Sequence, residues 1–432
     1  MIECRDSSHP ALEKPAEPAR RLRVLVFTLV FPSPGQPLHG IFVLERIRHL
    51  AAMADIHVVA PVPWFRSVNG GNPPSIAPIL SVRRPRFWYI PKLLPAFRAI
   101  FLFLSTARDI QRLRASFDFD LIDAHFAYPD GFAAVLLGRW FNRPVCITLR
   151  GTIVQWSRRP VGRWLCNWAI RRAEQIIAVA QSLAERARQG GVPELRIETI
   201  ANGVDNERFR LRERTSARSS LGLSEDGQLL VSVGHISPRK GFHRVIRSLP
   251  QVLESCPQAR LAIVGGKGAE QDNSAELLAL ARELGLTDRI LFAGAQAPDR
   301  VALWLAAADA FVLASDFEGC PNVVLEAMAC GRPVIATKVG DIERMVPDFA
   351  GILFNDPEDR PALAESMVSA LSRNWDAQRI HDHVARRSWD DVAQRVIARW
   401  LLAVENFDAE KEGRPSASAK DFLAATAQSR KA

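Results

Sequence analysis

The chain has 432 residues, 48% of them apolar, enough for about two to four domains with buried cores, which excludes a wholly disordered or fibrous protein. Its six cysteines, at 4, 146, 166, 256, 320 and 330, include no C-x-x-C pair and no Cys/His zinc spacing, so neither a disulfide scaffold nor a metal knuckle is indicated. The net charge of +9 belongs to one half: residues 1–220 hold 32 Lys and Arg against 18 Asp and Glu, the remainder 24 against 29.

Residues 1–22 are charged and broken by prolines where a signal peptide needs an apolar core, and no apolar run in the chain approaches the ~18 residues of a membrane span. They read as a mobile tail, and the expected location is cytoplasmic. Short apolar, β-branched runs then recur at 23–30, 55–62, 119–125, 144–149, 175–180 and 197–202, most of them followed by segments of helical period. Between 60 and 115, nine basic residues, Arg66 and Lys92 among them, face one acid, Asp109, with Trp64, Phe65, Phe87, Trp88, Phe97, Phe101 and Phe103 interleaved. Such a stretch fits phospholipid headgroups, nucleic acid or a polyanionic substrate, with a lipid surface ahead of nucleic acid because no nucleic-acid motif accompanies it; a solvated face carrying arginine stems is the other reading.

After an aperiodic basic stretch at 208–220 the pattern repeats at 229–234, 259–265, 289–294, 308–315, 333–338 and 351–355, with helices expected at 242–254 and 275–285. Strands alternating with helices imply parallel sheets covered on both faces, hence two doubly wound α/β domains, 23–210 and 211–388. A helix over 389–409, with Trp389, Val392, Val396, Ile397 and Trp400, crosses back toward the first domain, and 410–432 reads as a second tail. His381-Asp382-His383 reads as polar helix surface, since side chains two apart do not share a face.

In open α/β sheets ligands bind outside the carboxyl ends of the strands, so polar residues and glycines after each strand are the candidates. Four loops qualify. FPSPGQPLHGIF carries Gly40 after the first strand, His125 closes the third, VSVGHISPRKGF brings Gly234, Arg239, Lys240 and Gly241, and DFEGCPNVVLEAMACG follows the fourth strand of the second half. In the last of these, Glu318 and Glu326 stand eight apart around Gly319, Pro321 and Asn322, where a helix begins whose free N–H groups and dipole suit a diphosphate. Glu326, the one acid of an apolar helix, meets either the two hydroxyls of a ribose or a structural salt-bridge partner. Glu318 either accepts from sugar hydroxyls or is a solvated loop acid. Arg239 and Lys240 suit the charge that develops on a departing nucleoside diphosphate, or are a solvated basic pair. His125 either orients a hydroxyl near neutral pH or is a satisfied structural histidine. IVGGKGAE (263–270) has neither P-loop spacing nor the third glycine of G-x-G-x-x-G, and no G-x-S-x-G occurs, which disfavours an NTPase, a dinucleotide oxidoreductase and a serine hydrolase.

VSVGHISPRKGF, the run from ILFAGAQAPDR through DFEGCPNVVLEAMACGRPVIATKVGDIERMV, and IANGVDNERF together resemble the retaining, nucleotide-sugar-dependent glycosyltransferases of family 4, over residues 23 to 400. The resemblance implies a GT-B fold, two facing Rossmann-like domains with an inter-domain cleft, the first for the acceptor and the second for the nucleotide sugar. It implies Glu326 on the ribose; Gly319, Pro321, Asn322 and Val323 near the phosphates and sugar; Glu318 on the sugar; and Arg239 and Lys240 on the leaving diphosphate. His125 would lie by the transferred sugar, Gly40 would let the first loop approach the diphosphate, and Gly234 would serve the donor from the second domain. Transfer is expected with retention by front-face attack, with no metal and no cofactor beyond the donor. Three positions depart from the family pattern: His235 where Arg commonly follows the glycine, Asp341 where a second glycine commonly follows Gly340, and Arg150 where His is frequent.

The expectation is a hexosyltransferase using a nucleoside diphosphate sugar, UDP first and GDP second. Its acceptor would be lipid-linked or a glycan, in surface polysaccharide or glycolipid synthesis, with the enzyme peripheral on the anionic inner face of the plasma membrane and without a nucleic-acid partner. The alternatives are a GT-B-fold sugar-nucleotide epimerase or hydrolase, which needs no acceptor, and a non-catalytic nucleotide-sugar- or nucleic-acid-binding protein.

Overall fold

The computed structural model describes residues 20–33, 35–37, 39–65, 76–89, 95–267 and 272–414. The two expected tails lie largely outside these residues, as do Arg66 and Lys92. Each of the twelve apolar runs contains a strand. The first half supplies β1 (Arg23–Phe27), β2 (Asp55–Val59), β3 (Val62–Pro63), β4 (Ser81–Arg83), β5 (Arg86–Phe87), β6 (Leu121–His125), β7 (Val145–Leu149), β8 (Gln175–Ala178) and β9 (Ile197–Thr199). The second supplies β10 (Leu229–Val233), β11 (Arg260–Val264), β12 (Ile290–Gly294), β13 (Ala310–Leu313), β14 (Val334–Thr337) and β15 (Gly351–Phe354).

Two sheets form, in the orders β4-β2-β1-β6-β7-β8-β9 and β12-β11-β10-β13-β14-β15, with their strands paired in parallel; β3 and β5 pair apart as a short ribbon. The short strands β3, β4 and β5 carry too few apolar residues to register as runs. Most of the others register because their residues are buried at consecutive positions, as in β1, β6, β7, β8, β13 and β14. In β1, Leu25 and Phe27 pack under the Arg98–Arg114 and Phe132–Phe141 helices, whereas Val24 and Val26 pack under the Ile41–Ala51 and Trp389–Lys411 helices. The strand order reverses between β1 and β6 in the first sheet and between β10 and β13 in the second. The four loops picked from the sequence are those that follow these four strands.

The Trp389–Lys411 helix closes one face of the first sheet, burying Trp389, Val392, Val396 and Trp400, and its Arg395 and Arg399 both bind Glu198 of β9. Its chain returns alongside the outgoing one: Val204 N–H donates to Arg387 C=O at 2.9 Å, and a Cβ on Gly203 would sit 2.7 Å from the Trp389 nitrogen.

Two sequence expectations change. The stretch 208–220 holds a helix, Arg214–Ser220, whose Arg218 is buried and donates to the carbonyls of Glu225, Gly227 and Ala307 and to the Asp309 carboxylate, a role that leaves no apolar period to read. His381 and His383 are not free surface. They are half-buried on the Ala377–Ala385 helix, with Nδ1 of His381 2.6 Å from Ala329 O and Nε2 of His383 3.2 Å from Met345 O, so they fasten the ends of two neighbouring helices.

Removing the fully buried Trp400 side chain (Trp400→Ala) is expected to cost about 3–5 kcal/mol in denaturant unfolding. The same truncation at exposed Trp140 is expected to change stability by no more than about 0.5 kcal/mol.

Candidate active site

The loops after β10 and β13 meet because glycine permits it. Gly241 has φ +71°, and a Cβ there would lie 1.9 Å from Ala314 O, so only glycine lets the Pro238–Lys240 turn lie against the end of β13. Asp316 N–H then donates to Arg239 C=O at 2.9 Å. This brings Lys240 Nζ to 2.6 Å and Arg239 Nη1 to 3.4 Å from Glu318 Oε1, which also accepts from Ser315 Oγ at 2.8 Å. Glu318 is therefore not a solvated loop acid. Burial alone would raise its carboxyl pKa, but Lys240 and Arg239 outweigh that cost and hold it below the ordinary value. Gly234 lies beside the Lys240 stem, with a would-be Cβ 3.4 Å from its Cε.

Glu318 leads through Gly319, Cys320 and Pro321 into the Asn322–Ala329 helix, which carries Val323 in its first turn and Glu326 one turn on. Among the described residues Glu326 has no hydrogen-bond or ion-pair partner. The nearest cation acting on it, Arg208, is committed to Asp205 at 2.7 Å and Asp299 at 2.9 Å. Burial raises the Glu326 carboxyl to about 7, with Arg208 pulling down and Asp205 pushing up. A structural salt bridge thus does not account for this acid.

On the facing domain, Gly40 has φ +78° and opens the Ile41–Ala51 helix, where a Cβ would lie 2.6 Å from Val30 O. The loop after β1 is further held by Asp130, which accepts from Leu29 N–H at 2.8 Å and whose carboxyl burial raises to about 7. His125 is fully buried at the end of β6. Its Nδ1 accepts from Arg150 Nε at 3.4 Å, which leaves the ring proton on Nε2, 3.3 Å from Asp123 Oδ2 but poorly aligned for a hydrogen bond. Burial, more than Asp123 can offset, drops the imidazole to about 4. Both ring nitrogens therefore face protein groups.

The two halves touch at several points. Arg150 Nη1 donates to Asn202 Oδ1 at 3.3 Å, and Asn202 Nδ2 donates to Asn322 Oδ1 at 2.7 Å, at the head of the Glu326 helix. The carboxylate of Asp341 accepts from the backbone N–H groups of Gln181 and Ser182, capping the Gln181–Gln189 helix from the opposite domain. The guanidinium of Arg158 lies 5.7 Å from the Phe317 ring centre and that of Arg239 4.9 Å from it. So Arg239, Lys240, Glu318, Gly319, Asn322 and Glu326 gather on the second domain's edge, with His125 set back beneath Arg150 on the first. His235 is exposed. Sequence reading gave no role to Ser315, Asp130, Arg158 or Asn202; of these only Ser315 lies close in sequence to the residue it serves, three before Glu318.

Sequence comparison matches residues 14–208 to the model described as Glycosyltransferase Family 4 and residues 213–387 to Glycosyl transferases group 1. A D-inositol 3-phosphate glycosyltransferase of Frankia alni is 28% identical over 400 residues, 84% of this chain and 94% of that protein. D-inositol 3-phosphate glycosyltransferase 2 of Catenulispora acidiphila is 32% identical over 247 residues, 55% of this chain, and the match spans 58% of that relative's length. The crystal structure of Anabaena Alr3699/HepE in complex with UDP and glucose superposes with a TM-score of 0.69 at 21% identity, over 87% of this chain and 98% of that one, a likeness of fold. The two parallel sheets and the two consecutive family matches agree: the chain belongs to the group 1, family 4 glycosyltransferases and has their two-domain GT-B fold.

Proposed function

We propose that the chain moves a sugar from a nucleoside diphosphate donor, UDP before GDP, to an acceptor hydroxyl with retention of configuration and without a bridging metal. The observation that carries this reading is Glu326, a carboxylate on the rim of the second sheet with no partner among the described residues. Two vicinal ribose hydroxyls would give both of its oxygens donors and remove the cost of its burial. The head of the Asn322–Ala329 helix beside it, with the 319–323 backbone, suits the diphosphate, and Arg239 and Lys240 suit the charge released on it. UDP is preferred because the structural neighbour HepE was solved with UDP and glucose.

Retention by front-face attack is supported by the state of the carboxylates. Glu318 is held by Lys240, Arg239 and Ser315, an arrangement suited to reading sugar hydroxyls and poor for a covalent nucleophile, while Glu326 belongs to the nucleotide. A departing phosphate oxygen is then the base that takes the acceptor proton. His125, neutral and locked between Asp123 and Arg150, acts by positioning the floor of the first domain near the sugar.

We further assign a lipid-linked or glycan acceptor and an enzyme that rests on an anionic bilayer. Among the described residues no helix is long and apolar enough to cross a membrane. The outer face of the Arg98–Arg114 helix exposes Ile100, Phe101 and Leu104, then Arg108 and Arg112; Trp64 stacks on Trp88 at 5.1 Å nearby, and Trp88 and Trp140 are 63% and 67% exposed. Aromatic residues with flanking arginines suit the headgroup layer.

By calorimetry, Glu326→Ala is expected to weaken UDP binding about 10- to 100-fold, the loss of hydrogen bonds to a charged acceptor; unchanged affinity would remove the ribose role, and no nucleotide binding by the wild type would sink the transferase reading. The pH dependence has a definite sign. The donor stabilises ionised Glu326, whose free carboxyl sits at about 7, so affinity for UDP-glucose, with a diphosphate that does not titrate there, rises from pH 5.5 to 7.5 and then levels; Glu326→Gln gives a flat profile. In vesicle sedimentation at low salt, the protein is expected to pellet with anionic but not neutral liposomes, and Trp88→Glu with Trp140→Glu to reduce this several-fold. Indifference to anionic vesicles removes the membrane assignment and leaves the chemistry standing.

A further inference from the structure

A second charge cluster lies beneath the Ile41–Ala51 helix, on the first domain. It consists of Arg46 from that helix, Asp123 and His125 from β6, and Arg150 just past β7, all buried. The parallel register sets Asp123 beside Cys146 and His125 beside Thr148, which puts these residues and Arg150 on one face of the sheet.

The charges do not balance. Two guanidinium groups face one carboxylate, because burial keeps His125 neutral. Hydrogen bonds do not compensate either. Arg150, 5% exposed, donates at 3.4 and 3.3 Å to two neutral acceptors, His125 and Asn202, and its Nη2 has no acceptor among the described residues; none of the three guanidinium nitrogens of Arg46 has one. No carboxylate of the described residues comes within ion-pair distance of Arg150. A guanidinium withdrawn from water is costly unless a negative group meets it.

Of the two arginines, Arg150 stands at the domain boundary. The next residue, Gly151, packs against Gly319, with its amide nitrogen 3.4 Å from where a Gly319 Cβ would be. Asn202, which Arg150 holds, in turn holds Asn322. The Phe42 ring lies 4.6 Å from the guanidinium carbon and covers one face of it. Across the cleft, Glu318 cancels one of the two charges of Arg239 and Lys240, so a diphosphate carrying two negative charges finds only one net positive charge there.

We propose that Arg150 is an anion-binding residue of the cleft, taking a phosphate or carboxylate oxygen of a substrate that enters between the domains. For its substrates this rests on the glycosyl-transfer reading. The oxyanion has two sources, the donor's diphosphate or an anionic group on the acceptor.

The test titrates wild type, Arg150→Gln and Arg150→Lys with uridine, UDP, inorganic phosphate, and glucuronate in the presence of saturating UDP, by calorimetry with a thermal-shift readout alongside. Arg150→Gln is expected to melt no lower than the wild type, since it relieves a buried charge, and to bind at least one oxyanion probe roughly tenfold more weakly with uridine unchanged; Arg150→Lys retains part of the affinity. A loss on UDP identifies the donor diphosphate, and a loss on phosphate or glucuronate alone identifies the acceptor side. Equal binding of every oxyanion probe by wild type and Arg150→Gln overturns the proposal, as does an Arg150→Gln protein that fails to fold or melts well below the wild type. If the wild type binds no nucleotide, the transferase reading falls by itself, and the phosphate titration still decides Arg150.

Discussion

The ion pairs of Glu318 with Lys240 and Arg239 are the point on which the second domain's rim is built. They join the loop after β10 to the loop after β13, the two strands between which that sheet changes direction. A buried carboxylate is tolerated there only because its donors are fixed, and they are fixed because Gly241 lets the Pro238–Lys240 turn lie on Ala314. The start of the Asn322–Ala329 helix, and with it the reach of Glu326, follows from where that loop is held.

Much of this architecture was legible in the chain. Parallel strands buried on both faces need apolar residues at consecutive positions, and such runs stand out against polar turns, so β1, β2 and β6 to β15 could be read directly. The strands β3, β4 and β5 could not, since β3 and β5 are two residues long and β4 and β5 hold Arg83 and Arg86 at exposed positions. The helix Arg214–Ser220 escaped because its buried side is an arginine that finds carbonyl acceptors 89 residues away at Ala307. For the site, Glu318, Glu326, Arg239 and Lys240 were recognisable because each lies in a short segment whose pattern is local. Arg150, Asn202 and Asn322 are a different matter. Their association spans 52 and 120 residues of chain, and no neighbouring residue announces it.

The same long-range contacts govern how the halves relate. Asp341 caps a helix of the first domain, giving its N-terminal N–H groups an acceptor from the second. Together with the Asn202–Asn322 bond it ties the domains close to the cleft, while the paired crossings at Val204 and Arg387 tie them behind it.

The helix Trp389–Lys411 has a consequence for synthesis. It covers Val24, Val26, Leu121, Cys146 and Ile177, which belong to strands made hundreds of residues earlier. On the ribosome the first sheet must therefore wait, with the part of one apolar face that the Ile41–Ala51 helix leaves uncovered still bare, until the entire second domain has emerged and the last helix returns to cover it. For this chain the domain begun first is the one completed last, and the nascent protein has to be shielded from aggregation through that interval.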